Sequence, residues 1–207
     1  NHDSVKYFKN FSKKNNVYLL LGSIPITEND KLFNRSILID PDGDIISIYD
    51  KIHMFDITLK NGESYKESDF YSPGSELKIT KVLGHSVGHT ICYDLRYPKL
   101  YRALAKKGSQ IIVVPSAFTH TTGKAHWHSL IKARAIENGV FILAPNQWGV
   151  NNEKRVTYGH TLIVDPWGET LAEAEDGEMI IAAELDLNRV SECQNAIPVL
   201  DNDRNFE

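Results

Sequence analysis

Cysteine is scarce. The 207 residues hold two, Cys92 and Cys193, too far apart in sequence for the disulfide framework of a small secreted domain, so a reducing, cytoplasmic setting is expected. No apolar run approaches the roughly 18 residues that a bilayer-spanning helix needs, and the polar opening Asn1-His2-Asp3-Ser4 is not a secretory signal. Lys and Arg never gather into a long run and the formal net charge is -4, which argues against a nucleic-acid surface and leaves a small molecule or a protein as the expected partner. There is no His-Glu-x-x-His motif and no paired-cysteine motif. His126 and His128 stand two apart on a predicted helix and so point to different faces; no metal site is expected.

With 42% hydrophobic and 24% charged residues, the composition is that of a globular chain, which sets aside disordered, collagen-like and coiled-coil classes. The length suits one domain with a substantial core. Val5, Phe8 and Phe11 recur at helical spacing within Ser4–Asn15, predicting a surface helix, and Val17–Gly22 reads as a buried strand. Two strand-like runs between Phe33 and Tyr49 flank Pro41-Asp42-Gly43, a hairpin signal. From Ile52 to Lys81 the pattern breaks up, predicting a long loop. Strands are expected at Val87–Cys92, Ile111–Pro115 and Val140–Ala144, and helices at Tyr97–Lys107 and Lys124–Asn138, the second stopped by Gly139. This alternation predicts α/β layering. The final third predicts antiparallel hairpins from strands at Thr161–Asp165, Thr170–Ala174 and Met179–Leu185.

In Gly88-His89-Thr90-Ile91-Cys92-Tyr93-Asp94-Leu95-Arg96-Tyr97-Pro98, a β-branched run delivers Cys92 to its carboxyl end, an abrupt turn follows, and a helix-like segment begins. Such a position favours a thiolate and a developing oxyanion; the plain alternative is a cysteine packed as a small hydrophobe. A thiolate attacking a carbonyl needs a proton acceptor and a cation near the oxygen that becomes negative. Lys51 ends a strand among apolar neighbours, and Glu67 lies in the long loop. Taken alone, Lys51 reads first as a snorkelling surface lysine and Glu67 as a solvated surface charge.

Six segments then occur in one order: Lys51-Ile52-His53-Met54-Phe55-Asp56, Tyr65-Lys66-Glu67-Ser68, Ile91-Cys92-Tyr93-Asp94-Leu95-Arg96-Tyr97-Pro98, Pro115-Ser116-Ala117-Phe118, Ala133-Arg134-Ala135-Ile136-Glu137-Asn138, and Tyr158-Gly159-His160 through Asp165-Pro166-Trp167-Gly168. Together they resemble the nitrilase superfamily of carbon–nitrogen hydrolases, in its amidase branch, over nearly the whole chain. The resemblance implies a four-layer α-β-β-α sandwich, hydrolysis of a small linear amide without a cofactor, and a homodimer or higher homo-oligomer. It matches Cys92 to the nucleophile that forms a thioester and Lys51 to the stabiliser of the oxyanion, helped by the backbone N–H of Tyr93. Glu67 is matched to a glutamate that supports the lysine. The family's principal general-base glutamate, with its opening strand and helix, finds no match in residues 1–207, so an N-terminally truncated single domain is expected, and neither Glu63 nor Glu28 is assigned that role.

Ser116, Phe118 and Thr119 follow an apolar strand at its carboxyl end and are expected to line the substrate pocket together with Tyr93. Asp94 and Arg96 are expected to hold the turn after Cys92, and Arg134 and Glu137 to form an intrahelical ion pair. His89, a possible base for Cys92, has poor geometry for it three places back along the strand. A catalytically silent scaffold remains the alternative function.

Overall fold

A computed structural model describes residues 2–60, 62–152 and 155–204. Helix α1 (Asp3–Asn15) ends where Asn16 turns left-handed at a φ of 54°. Strands β1 (Leu19–Glu28), β2 (Lys31–Ile39) and β3 (Ile45–Asp50) then form an antiparallel sheet in that order. The β2–β3 turn is built as its residues demand: Asp40 Oδ1 accepts from the backbone N–H groups of Asp42 and Asp44, and Gly43 takes a φ of 81°. Leu21, Ile37 and Ile39 pack with Val5 and Phe8 of α1, while Leu20 and Gly22 alternate to the other face. In the central strand β2, the whole run Arg35–Ile39 is buried, as expected for a strand covered on both sides.

The segment expected as a loop carries more structure. It holds a small hairpin of β4 (Asp56–Thr58) and β5 (Ser64–Lys66), a 3-10 turn at Glu67–Asp69, and β6 (Ile79–Val82). Pieces of three or four residues are too short to display a period, and the intervening Gly, Ser and Pro masked them.

The chain continues through β7 (His85–His89), a 3-10 turn at Cys92–Arg96, α2 (Pro98–Lys106), β8 (Ile111–Val113), α3 (His120–Asn138), β9 (Phe141–Ala144), β10 (Trp148–Asn152), β11 (Arg155–Tyr158), β12 (Leu162–Val164), β13 (Thr170–Glu173) and α4 (Asn188–Ala196). Six strands form the second sheet in the order β13-β12-β9-β8-β7-β6. Its β7, β8 and β9 run parallel because α2 and α3 are the crossovers between them. Ile112, Val114, Ile142, Ala144, Leu162 and Val164 point into the core with Tyr101 and Leu104 of α2 and Trp127 and Ile131 of α3. The alternate residues Val113, Leu143 and Ile163 face a cavity that Leu20 and Gly22 of the first sheet also line. The layers therefore run α1, sheet, sheet, α2 with α3: the expected α-β-β-α sandwich. Gly22 marks the close approach of the sheets, since a Cβ there would meet Pro115 Cβ at 2.5 Å.

Several local expectations are corrected. Helix α3 starts at His120, four residues early, because Thr119 Oγ1 caps it by accepting from Thr122 N. Met179–Leu185 is not a strand. Its side chains alternate between half-buried and exposed from Ile181 onward, but Gly177, at a φ of 119°, turns the chain away from β13, and no ladder partner meets it among the described residues. Helix α4 was not foreseen. Only Val190 and Cys193 are buried in it, and tertiary bonds fix it: Arg189 pairs with Asp165, and Gln194 Nε2 donates to the carbonyls of Asn138 and Gly139. The β10–β11 hairpin was also unforeseen. No described helix is long and apolar enough to cross a membrane.

Candidate active site

Cys92 sits where β7 breaks into the 3-10 turn, with a left-handed φ of 49°. A non-glycine residue pays conformational strain there, and the surroundings must hold it. Cys92 N donates to Pro115 O, tying the turn to the end of β8. Asp94, fully buried, does more: Oδ2 accepts from Tyr49 Oη at 2.7 Å and Ile91 N at 2.9 Å, and Oδ1 from His53 N at 3.0 Å, with His53 Nδ1 at 2.7 Å. Burial first, and the Asp94 charge second, push the Tyr49 phenol far above its ordinary pKa, so it stays a donor. Tyr49 and His53 stand two residues either side of Lys51, and Asp94 stands two after Cys92. One carboxylate thus fixes the segment bearing the lysine against the segment bearing the cysteine.

Lys51, 2% exposed, places Nζ 2.5 Å from Glu67 Oε2. The same oxygen accepts from Phe55 N at 2.7 Å, and Oε1 from Asn34 Nδ2 at 3.0 Å. Cys92, Lys51 and Glu67 all line the cavity between the sheets, about 1080 Å³ in volume, with Tyr93, Ser116 and Phe118 also in its wall. Thr119 is not in that wall; it is buried as the cap of α3. Glu67 is the one acidic residue among the described lining residues, against Lys51, Lys66 and Arg155. Glu28 is drawn off by Arg35 at 2.8 Å, and Glu63 accepts from Thr121 Oγ1 at 2.8 Å.

Arg155 was missed from sequence, as were Asn34 and Asn146. The Arg155 guanidinium lines the cavity, sends one N–H to Ala117 O at 3.2 Å and lies 5.9 Å from the Tyr65 ring centre, yet its buried Nε has no partner among the described residues. Asn146 joins three wall segments, accepting from Phe118 N and donating to Gly159 O from its side chain while its backbone N–H reaches Thr161 Oγ1. The ion pair expected within α3 is present, Arg134 to Glu137 at 3.0 Å, and Arg134 Nε also donates to Leu95 O beside the Cys92 turn.

The 1–195 span matches the family model described as carbon-nitrogen hydrolase. The chain belongs to the carbon–nitrogen hydrolase family. It is 39% identical over 201 residues to the deaminated glutathione amidase of Dictyostelium discoideum, covering 94% of this chain and 69% of that one. Against the omega-amidase NIT2 of Xenopus tropicalis it is 36% identical over 197 residues, covering 95% and 71%. Among solved structures it resembles the C. elegans NitFhit protein, with a TM-score of 0.91 and 35% identity over 97% of this chain and 50% of that one. The four-layer nitrilase fold is therefore that of this carbon–nitrogen hydrolase.

His89, considered as a partner for the thiol, points away from the cavity: its Nε2 is 3.2 Å from Thr80 Oγ1 and its Nδ1 is buried without a partner among the described residues. Burial, reinforced by the Lys78 charge, lowers its pKa to about 4. A buried neutral histidine makes the unfolded state the better proton binder between that value and about 6.5. Stability should therefore fall as pH drops through this window, by roughly 3 kcal/mol in total, and the loss is complete below about pH 4. Urea titrations at a series of pH values check it, with His89→Leu expected to flatten that part of the profile.

Proposed function

We propose that the chain hydrolyses the C–N bond of a small, linear, carboxylate-bearing amide through a thioester on Cys92. The observation that carries this reading is the meeting of Cys92, Lys51 and Glu67, from three separate segments, in one cavity, with the ammonium of Lys51 held against Glu67 at 2.5 Å. The sulfur attacks the amide carbonyl. Lys51 and the backbone N–H of Tyr93 stabilise the oxyanion, and Glu67 holds the ammonium in position. The C–N bond breaks as the departing nitrogen takes up the thiol proton and leaves as ammonia. Water then cleaves the thioester, releasing the carboxylic acid and restoring the thiol.

The amidase names of the relatives support the reaction class, and the cationic excess of the cavity supports an anionic substrate. Arg155, with a buried N–H that has no partner among the described residues, suits the distal carboxylate. Arg155→Met should raise KM for deaminated glutathione or glutaramate-like amides by roughly 10- to 100-fold, as the loss of a charge-assisted bond predicts. A neutral amide of equal length should keep its KM; equal losses for both would remove Arg155 from this role.

A second reading is favoured by one observation: both oxygens of Glu67 already accept hydrogen bonds, and no other described acid lines the cavity. On that reading the chain is a silent scaffold. Ammonia release decides between them. Zero turnover, with Cys92 still labelled by iodoacetamide, would support the scaffold.

A further inference from the structure

His128 diverges from His126 along α3, yet the fold gives it other company. His128 Nε2 lies 2.8 Å, and His160 Nδ1 2.9 Å, from the same oxygen, Glu173 Oε1. All three atoms are within 4.8 Å of one another. They come from three places: the middle of α3, the turn after β11, and the end of β13. His160 is held in the left-handed region at a φ of 56°. Its carbonyl accepts from Trp127 Nε1 at 2.7 Å and its ring stacks on Tyr158 at 4.4 Å. Packing thus imposes an unfavourable backbone conformation, and that conformation aims Nδ1 at the other two donors.

We propose that His128, His160 and Glu173 form a binding site for one borderline divalent transition-metal ion, for which Zn²⁺ is the probe. Two imidazole nitrogens and one carboxylate oxygen suit Zn²⁺, Co²⁺ or Ni²⁺; Mg²⁺ and Ca²⁺ prefer all-oxygen shells. A tetrahedral ion with bonds of roughly 2.0–2.1 Å separates its ligand atoms by about 3.3 Å. The 2.8 and 2.9 Å separations fall about half an ångström short of that. Side chains 34%, 26% and 35% exposed open that far by small rotations. Each imidazole then turns a lone pair to the ion and carries its proton on the far nitrogen, His128 Nδ1 and His160 Nε2. The partial exposure leaves the fourth position to water. Bound there, the ion clamps α3 to β13 and to His160, whose neighbour Thr161 lines the cavity between the sheets.

Chelator-stripped protein titrated with Zn²⁺ by calorimetry, and melted with and without the ion, tests the site. The expected result is one ion bound in the low-micromolar range, a raised Tm, and no heat from Mg²⁺ at the same concentration. His128→Gln on the helix surface and His160→Asn, chosen because asparagine tolerates a left-handed backbone, should each weaken binding by ~10-fold or more. Cys92 and Cys193 are competing zinc ligands, so the titration is repeated after alkylation with iodoacetamide, which should leave it unchanged. No saturable binding, binding indifferent to both histidine variants, or binding abolished by alkylation would overturn the proposal.

Discussion

Cys92→Ala should cut ammonia release from deaminated glutathione or a glutaramate-like amide by ~10⁴-fold or more, because loss of the nucleophile removes the covalent route altogether. Lys51→Met should cost roughly 10²- to 10³-fold in kcat, the usual toll for losing one preorganised oxyanion donor, with KM much less affected. The two variants differ in what they leave behind. Alanine at 92 empties one side of the cavity, whereas methionine at 51 fills the space of the lysine stem but leaves Glu67 facing its Asn34 and Phe55 donors without the ammonium. Both should retain the parent's circular dichroism spectrum. If Lys51→Met raised only KM and left kcat unchanged, the lysine would be a substrate contact rather than the stabiliser of developing charge.

Asp94→Ala should destabilise the fold by roughly 3–5 kcal/mol, the range for breaking a buried charged network. Three of the groups deprived of a partner cannot recover water easily, since Tyr49 is 1% and Ile91 1% exposed, and His53 is half-buried. Each orphaned buried donor costs about 1–3 kcal/mol, so the sum is a large fraction of the roughly 5–15 kcal/mol that stabilises a domain. Tyr49→Phe removes one donor while keeping the ring and should cost only about 1 kcal/mol. Urea midpoints at constant slope measure both. A loss under about 1 kcal/mol for Asp94→Ala would show that the tie between the Lys51 and Cys92 segments contributes little.

Those two side chains show how far the sequence alone could be followed. Cys92 was legible because a β-branched run, an abrupt turn and a proline-led helix mark it locally, and the order of six segments supplied the family. The apolar runs of β8, β9 and β12 and the stop at Gly139 were legible for the same reason: their signals lie within a few residues. Asp94 could be assigned to the turn, but its bonds to Tyr49 and His53 span more than 40 positions, and no local pattern announces them. Nothing local to Arg155 announces its place; the β10–β11 hairpin brings it to the cavity wall. Met179–Leu185 failed in the opposite sense. Its alternation is that of a strand, but a strand also needs a neighbour's N–H and C=O groups, and those are not encoded in the segment itself.

One sulfur, one ammonium and one carboxylate are expected to converge on a single acyl carbon. Acid-quenched protein, sampled during turnover and mapped by mass spectrometry, tests this most directly. The expected result is a mass increment equal to the substrate minus ammonia, confined to the peptide bearing Cys92, accumulating within one turnover and discharged by hydroxylamine. Ammonia released with no increment on Cys92, or an increment on Cys193 instead, would contradict it.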